Sequence, residues 1–373
     1  MNKKRIGLSL LMIISTNMYA DTLSDAFSGG KYEGNIRLGY QSHEVQNDRR
    51  DEFATGVILH FETASYYGIQ AGATLFTSQG NGKEGFEGVP FFDENNDNYT
   101  SVGEAYLKGT FSNTVFTLGR QILDTPFAGS DDIGMIDNTF EAYTLVNKDF
   151  QDTTIFLAQV QRWSGVDSPV PSSFTDVNGD DGMQILGITY EGIDKTTLSG
   201  WFYNLSDNGK ISYLDANYED ETEKFAYGAA LQYAYQDYDS GESSTIYGAA
   251  AFLGVKKVGL TTTVSYNETD GIAADNFFGG GPFFTNAEHN TLREAGPDGR
   301  VILYTLEWDA SVIGAEGLLF TVNIDAHQDD NSEYDLGIEY VYNDRVNVSA
   351  IYSDVEEEDN AFRNLRIFAN YSF

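Results

Sequence analysis

Apolar and polar side chains alternate in short segments along almost the whole chain. The C-terminal stretch NLRIFANYSF shows this pattern, and its apolar residues of one parity are Leu365, Ile367, Ala369, Tyr371 and Phe373. Polar residues take the other parity, with the exception of Phe368. A repeat of two residues is typical of a β-strand with one apolar and one wet face. The pattern therefore predicts an all-β protein.

The alternation recurs often enough to predict about eighteen strands, although sixteen are also arithmetically possible. Each strand with its connection then has on the order of twenty residues, which suits a membrane strand of about 9–11 residues. In one segment the predicted apolar row is Phe156, Ala158 and Val160. The stronger segments are 36–40, 57–61, 67–75, 105–111, 156–160, 186–190, 198–202, 227–235, 260–266, 318–326, 334–342, 346–352 and 365–373, and the weaker ones are 116–118, 140–146, 214–218, 246–253 and 301–308.

Two features favour lipid over a protein core as the neighbour of the apolar rows. Several rows end in tyrosine, as at Tyr190, Tyr342 and Tyr352, and such rings suit a membrane interface. The opposite parity carries groups such as Asn323 and Asp335, which are too polar to fill a second core. We therefore predict a transmembrane antiparallel β-barrel around a water-filled lumen. Its first and last strands must pair, because hydrocarbon tolerates no unpaired sheet edge.

The connections between segments alternate in length. Short ones at residues 62–65, 191–195 and 343–345 are typical of periplasmic turns, whereas residues 78–100, 164–183 and 268–300 are long enough for outer loops. No linker divides the chain, so residues 21–373 are predicted to form one barrel domain in a bacterial outer membrane.

The first twenty residues differ from the rest of the chain. A basic start at residues 3–5, an apolar run to Ile14 and a small residue at Ala20 predict a secretory signal peptide over residues 1–20. Its removal takes away three of the 22 Lys and Arg and none of the 57 Asp and Glu, so the net charge changes from -35 to -38. A chain this acidic lacks the basic stripe that nucleic acid requires. Without cysteine, disulfides and thiolate metal sites are excluded.

The segment LGRQILDTPFAGSDDIGMIDNTFEAYTL, residues 118–145, resembles the OprD-like outer-membrane porins. In it, a strand that ends in Gly-Arg-Gln leads through an acidic segment with a proline to a Thr-Phe-Glu strand start. The alternating strands and the terminal Phe373 extend the likeness over the chain. The resemblance implies an eighteen-stranded pore, an inward-folded loop that narrows it, and a row of basic side chains along one wall. The strong acidity of this chain departs from that pattern.

Five basic residues are candidates to line the pore. Arg37, Lys108 and Arg366 alternate against apolar neighbours, so their parity directs them to the lumen. Closure makes the strands of Arg37 and Arg366 neighbours. Arg120 and Arg162 are also predicted to line the pore, although Arg120 has the parity of Leu118 and needs a bulge or rim position to turn inward. The alternative for each is an ion pair with a neighbouring carboxylate in the wall.

The acidic candidates lie in the segment 124–137, which the resemblance implies is folded into the pore. They are Asp124, Asp131, Asp132 and Asp137. In that position carboxylates oppose cations at the narrowest point, and charged rings of this kind set pore selectivity. The alternative is an exposed acidic loop.

These observations predict a porin for small hydrophilic or charged solutes and ions, without a cofactor or bound metal. Its expected surroundings are outer-membrane lipid and lipopolysaccharide, and it is expected to be a monomer or a homotrimer. The alternatives are a barrel that acts as a surface adhesin or receptor, and a barrel hydrolase. Catalysis is disfavoured because none of the four histidines lies in a nucleophile or paired-histidine metal motif.

Overall fold

The computed structural model describes residues 20–46, 48–80, 90–131, 133–279, 281–328, 331–356 and 361–373. The predicted signal peptide therefore lies outside the described residues, apart from Ala20. A short helix, α1 (Leu23–Ser28), precedes the strands, and 3₁₀ turns occupy Lys256–Val258 and Ala310–Ile313. Across the described ranges, no helix has the length and apolar character needed to cross a membrane.

Strands make up nearly all of the regular structure, as the alternation predicts. In chain order they are β1 (Lys31–Val45), β2 (Asp48–Glu62), β3 (Ile69–Gly80), β4 (Tyr99–Phe111), β5 (Thr114–Gln121), β6 (Thr139–Asn147), β7 (Thr153–Ser164), β8 (Thr175–Asp176), β9 (Met183–Ile193), β10 (Thr196–Leu205), β11 (Gly209–Glu221), β12 (Phe225–Tyr238), β13 (Ser243–Val255), β14 (Leu260–Gly271), β15 (Arg300–Asp309), β16 (Leu318–His327), β17 (Ser332–Asn343), β18 (Val346–Glu356) and β19 (Phe362–Ser372).

Eighteen of these strands close into one antiparallel barrel, which confirms the predicted fold class. β1 pairs with β2 on one side and with β19 on the other, from Asn35 opposite Ser372 to Val45 opposite Phe362. The two-residue β8 pairs only with the end of β7 and stands outside the barrel. Closure joins the two edge strands through backbone hydrogen bonds, which is the condition for a sheet in hydrocarbon.

The outer surface of the barrel is apolar. Leu107 and Leu231 are 54% and 64% exposed, although both are mid-strand residues with no polar atom in the side chain. Such exposure suits contact with lipid and would be costly in water. The predicted apolar rows lie on this outer face in nearly every strand, and they include Ile36, Leu38, Leu59, Leu75, Phe116, Leu186, Ile188, Phe202, Val264, Ile324, Leu336 and Val348.

Strand β7 is the exception, and here the predicted faces are wrong. Phe156, Ala158 and Val160 are buried inside the barrel, whereas Leu157 is 43% exposed on the outer face. Both parities of this strand are apolar, so alternation cannot tell them apart. The inner row is covered because loops fold into the barrel and pack against it.

The connections lie at two ends of the barrel, as their lengths predict. Short turns such as residues 194–195 and 344–345 lie at the end that holds both chain termini, which is the periplasmic end in such barrels. The long β5–β6 loop (residues 122–138) and β14–β15 loop (residues 272–299) start from the opposite end. Both enter the lumen, and their packing determines the functional site.

Candidate functional site

The inner face of β1 and β19 forms an arginine wall, which we define by Arg37, Arg366 and Phe368. Strand pairing places Arg37 opposite Asn370 and Gln41 opposite Arg366, so that the two arginines flank Phe368. Their guanidinium carbons lie 4.6 and 5.5 Å from the Phe368 ring centroid. The Nε group of Arg37 donates to Asn370 Oδ1 at 2.8 Å. Two cations are therefore held on one aromatic side chain.

The β5–β6 loop meets this wall through its segment 133–136. An NH1 group of Arg37 donates to the carbonyl oxygen of Gly134 at 2.6 Å. Met135 is fully buried in a cluster with Phe91 and Phe368. Gly39 makes this approach possible, because a Cβ atom there would lie 2.7 Å from Met135 Sδ. The glycine leaves room for the loop to lie flat on the wall.

The β14–β15 loop supplies a carboxylate to the same wall. Arg366 forms an ion pair with Glu288 of this loop, and both side chains are mostly buried. The next backbone N–H groups, of His289 and Asn290, donate to Glu333 on β17 at 3.0 and 2.6 Å. The loop is thus fastened at Glu288 and at the two residues that follow it, and the mostly buried charges of Glu288 and Arg366 satisfy each other.

His289 lies within this contact and is neutral. Its Nε2 is 3.1 Å from Asn364 Nδ2 on β19. Burial, followed by the neighbouring Arg366 and His43, lowers the pKa of His289 to about 3. A charged imidazole is disfavoured here because burial strips its water and a cation stands beside it. The docked loop therefore requires the neutral ring.

The opposite side of the lumen is an apolar wall, formed by inward side chains of β6, β7, β9 to β13 and β15. Phe127 of the β5–β6 loop is fully buried there and meets four aromatic rings edge-on, with centroids 5.5 to 6.0 Å away. Two of those rings come from β10 and β11 and two from the β14–β15 loop. The four partners are Tyr203, Tyr213, Phe277 and Phe283. This wall anchors both loops inside the barrel.

Lys108 faces inward on β4, nearer the periplasmic end. Its Nζ lies 2.5 Å from Glu62 Oε2, and Glu62 also accepts from the Tyr106 hydroxyl at 2.8 Å. His60 joins the same inner surface through a contact of 2.7 Å with Thr74. Lys108 is therefore an ion-paired cation in a second polar region, separate from the arginine wall.

Arg120 and Arg162 lie on the outer face, which corrects the prediction that they line the pore. Glu141 joins them, with Arg162 NH2 at 2.6 Å and Arg120 Nε at 3.6 Å from Glu141 Oε2. Glu141 shares its face with Tyr143, which is 58% exposed on the outside. Arg120 keeps the parity of Leu118, and a register shift at the Glu141–Ala142 pairing with β7 turns Arg162 outward.

The predicted acidic residues are spread along the β5–β6 loop. Asp124 is exposed and accepts from the Ser130 hydroxyl at 2.8 Å. Asp131 and Asp137 flank the segment that touches the arginine wall, and Asp132 lies outside the described residues. An acidic group that the prediction did not include, Glu288, also reaches this site and pairs with Arg366. The position of Glu288 could have been inferred from the Gly, Phe and Leu residues in 279–292, because a loop with large apolar side chains tends to be buried.

Fold and site together define a class of protein. An outward apolar face, a closed sheet and long loops that enter a polar lumen are the features of a channel-forming outer-membrane β-barrel. The sequence matches the family described as outer membrane porin, OprD family, over residues 26–342. The chain belongs to this family, and the bacterial outer membrane is its location.

Solved structures with the same fold come from three bacterial species. OpdK of Pseudomonas aeruginosa, solved with vanillate, has a TM-score of 0.82 at 18% identity, with 93% of this chain and 99% of that chain covered. A BenF-like porin of Pseudomonas fluorescens Pf-5 has a TM-score of 0.83 at 17% identity, with the same coverage. OccAB4 of Acinetobacter baumannii has a TM-score of 0.81 at 16% identity, with 94% and 99% covered. No curated protein matches the chain.

Proposed function

We propose that this porin carries small hydrophilic or charged solutes and ions by passive diffusion through a water-filled lumen. Its narrowest point is the gap between the arginine wall and the two inward loops. The observation that carries this proposal is the pairing of Arg37 and Arg366 with loop groups across the barrel. No cofactor or energy coupling is required.

The mechanism follows from the charges at the gap. Arg37 and Arg366 hold positive charge on one side, and Glu288 with the acidic β5–β6 loop holds negative charge toward the other. In a narrow lumen of low dielectric, the field between them orients a dipolar or zwitterionic solute as it passes. Phe368, which is buried beneath Met135, keeps the two guanidinium groups in place beside this gap.

We propose no catalytic step. Two described pairs join a histidine to a carboxylate: His60 with Glu104 at 3.5 Å and His327 with Asp325 at 2.7 Å. The side chains of His327 and Asp325 have no solvent exposure, so a solute in the lumen does not reach them. A role in fixing the ends of β16 fits them better. Whether the barrel works as a monomer or a homotrimer stays a prediction.

Conductance across planar bilayers tests the function and the site together. The wild-type protein is expected to give stepwise currents. The double variant Arg37→Gln/Arg366→Gln should shift the reversal potential toward cation preference. The expected change in permeability ratio is about fivefold, since removal of charges near the ion path costs an anion about 1 kcal/mol.

Arg300→Gln is the matched control, because Arg300 is paired with Glu268 on the outer face. Its reversal potential should equal that of the wild type. A protein that inserts but conducts no current would contradict the porin proposal and favour the adhesin or receptor alternative. Normal currents with an unchanged reversal potential in the double variant would remove the two arginines from the selectivity site.

A further inference from the structure

An open groove of about 470 Å³ runs along the outer face of the barrel over β5, β6, β7, β9 and β10. Its loop-side end carries the amide side chains of Gln159 and Gln184. The remainder is lined mainly by outward apolar side chains, among them Phe116, Leu118, Tyr143, Leu157, Leu186 and Phe202. The groove is thus apolar toward the membrane centre and polar toward the extracellular end.

The outward Arg120, Glu141 and Arg162 lie just beyond this groove at its loop-side end. Arg120 follows Leu118 by two residues on the same face, and Glu141 precedes Tyr143 in the same way. Arg120, Glu141 and Arg162 are direct cross-strand neighbours in register, and Asp176 of β8 completes the row beyond Arg162. The Arg120 guanidinium carbon lies 4.4 Å from the Phe174 ring centroid. Strand pairing and stacking therefore fix both guanidinium groups.

A second polar row continues beside the charged one. Asn204 Nδ2 donates to Gln184 Oε1 at 2.6 Å, and Gln184 Nε2 donates to Gln159 Oε1 at 2.9 Å. These amides face outward next to the lipid-facing Leu157, Leu186 and Phe202. Polar groups on the outer face are tolerated only where they reach the level of lipid headgroups. The two rows therefore mark the headgroup level of the outer leaflet.

We propose that the groove and these rows bind one phosphorylated glycolipid of the outer leaflet. An acyl chain fills the apolar groove, and the planar forks of Arg120 and Arg162 bind a phosphate group. Glu141 holds both guanidinium groups without using all of their N–H donors. The carboxylates and amides of the two rows accept and donate hydrogen bonds with sugar hydroxyls. This inference does not depend on the lumen, so it stands whether or not the barrel conducts.

Native mass spectrometry of the detergent-purified full-length protein tests this site. The probes are a defined phosphorylated glycolipid of the outer leaflet, the same lipid without its phosphates, a zwitterionic phospholipid, and inorganic phosphate alone. Wild-type protein should retain the phosphorylated glycolipid at least tenfold more tightly than the other probes. Arg120→Gln/Arg162→Gln should lose this preference, while the outer-face control Arg300→Gln should keep it.

Two further variants separate the headgroup from the groove. Arg120→Lys/Arg162→Lys keeps the charge but removes the planar guanidinium group. The affinity for the phosphorylated glycolipid should then lie between the affinities of the wild type and of the Arg120→Gln/Arg162→Gln variant. Leu157→Ala/Leu186→Ala should weaken the glycolipid with and without phosphate equally. Unchanged bilayer currents or, failing those, an unchanged heat-resistant barrel band on a gel show that each variant is folded.

Three results would overturn the proposal. The phosphate-free lipid binding as tightly as the phosphorylated one would exclude the arginines as a phosphate site. Displacement by inorganic phosphate alone would show a simple anion site. Equal affinity in the Arg120→Gln/Arg162→Gln variant and in wild type would place the lipid elsewhere on the barrel.

Discussion

The two walls of the lumen differ in how they hold a loop. The arginine wall on β1 and β19 is polar and thinned by Gly39, and it meets the loops through hydrogen bonds and an ion pair. The apolar wall meets the same loops through aromatic rings such as Phe127 and Tyr203. The inner face of a porin barrel is therefore not uniformly wet. It carries charged and amide groups on β1 and β19, and it is apolar where β10 and β11 hold Phe127.

This division has a physical basis. An inward loop loses conformational entropy, and a buried ion pair returns little net free energy because its charges lose their water. Burial of large aromatic side chains returns about 1.5 to 3 kcal/mol each. The apolar wall therefore supplies most of the docking free energy, and this leaves the arginine wall free to carry charge.

The largest expected effect comes from removing the central anchor of the apolar wall. Phe127→Ala should cost about 3–5 kcal/mol, because the residue is fully buried among four rings. The β5–β6 loop should then leave the arginine wall, and single-channel conductance should rise with frequent fluctuations. Planar bilayer recordings measure the change.

Phe116→Ala is its control, since Phe116 is 39% exposed on the lipid-facing side. Its conductance should match that of the wild type. Steady wild-type currents from Phe127→Ala would show that the polar contacts of the arginine wall hold the loop alone.

Acidification provides a second and smaller perturbation, directed at the arginine wall. His289 has a pKa lowered to about 3 when docked and titrates near its ordinary value of 6.5 when the loop is released. The released loop therefore binds a proton that the docked loop excludes, and docking weakens as pH falls from 6.5 toward 3. At about pH 5 the loss is on the order of 2 kcal/mol. Current fluctuations should be more frequent at about pH 5 than at neutral pH.

His289→Gln tests the assignment, because glutamine keeps a hydrogen-bonding group toward Asn364 but does not titrate. The variant should lose most of the pH dependence between neutral pH and about pH 5. Persistence of the full dependence would assign it to other titratable groups at this contact, such as His43 or Glu333, which face His289 from β1 and β17.

The smallest expected effect is a difference between the two walls in the rate at which a single cysteine reacts with a thiol reagent. The chain has no cysteine, so single substitutions report one position each. Ser349→Cys lies on β18 opposite Phe368 and should react with a water-soluble thiol reagent. Phe156→Cys, on the apolar wall, should react at least about tenfold more slowly, because loop packing must open first. Equal rates would show that water reaches both walls.

The strand pattern could be predicted because period-two alternation is a local property. It gives the number of strands and the outward face of nearly all of them, and it places Arg37, Lys108 and Arg366 on the inner side. It failed at β7, where both parities are apolar and only the packed loops distinguish them. The pore position predicted for Arg162 was wrong as well, because a register shift near the strand end turns this residue to the side opposite Val160 without a mark in the sequence.

The alternation of side chains was enough to predict a closed barrel with an apolar outside, because the two faces of each strand can be read from its own residues. The contacts between loops and barrel wall could be seen only in the folded chain, among them Arg366 with Glu288 and Arg37 with Gly134. The reason is that loops have no periodic constraint on direction. Their position depends on the summed burial of side chains from many strands, which becomes defined only when the barrel has closed.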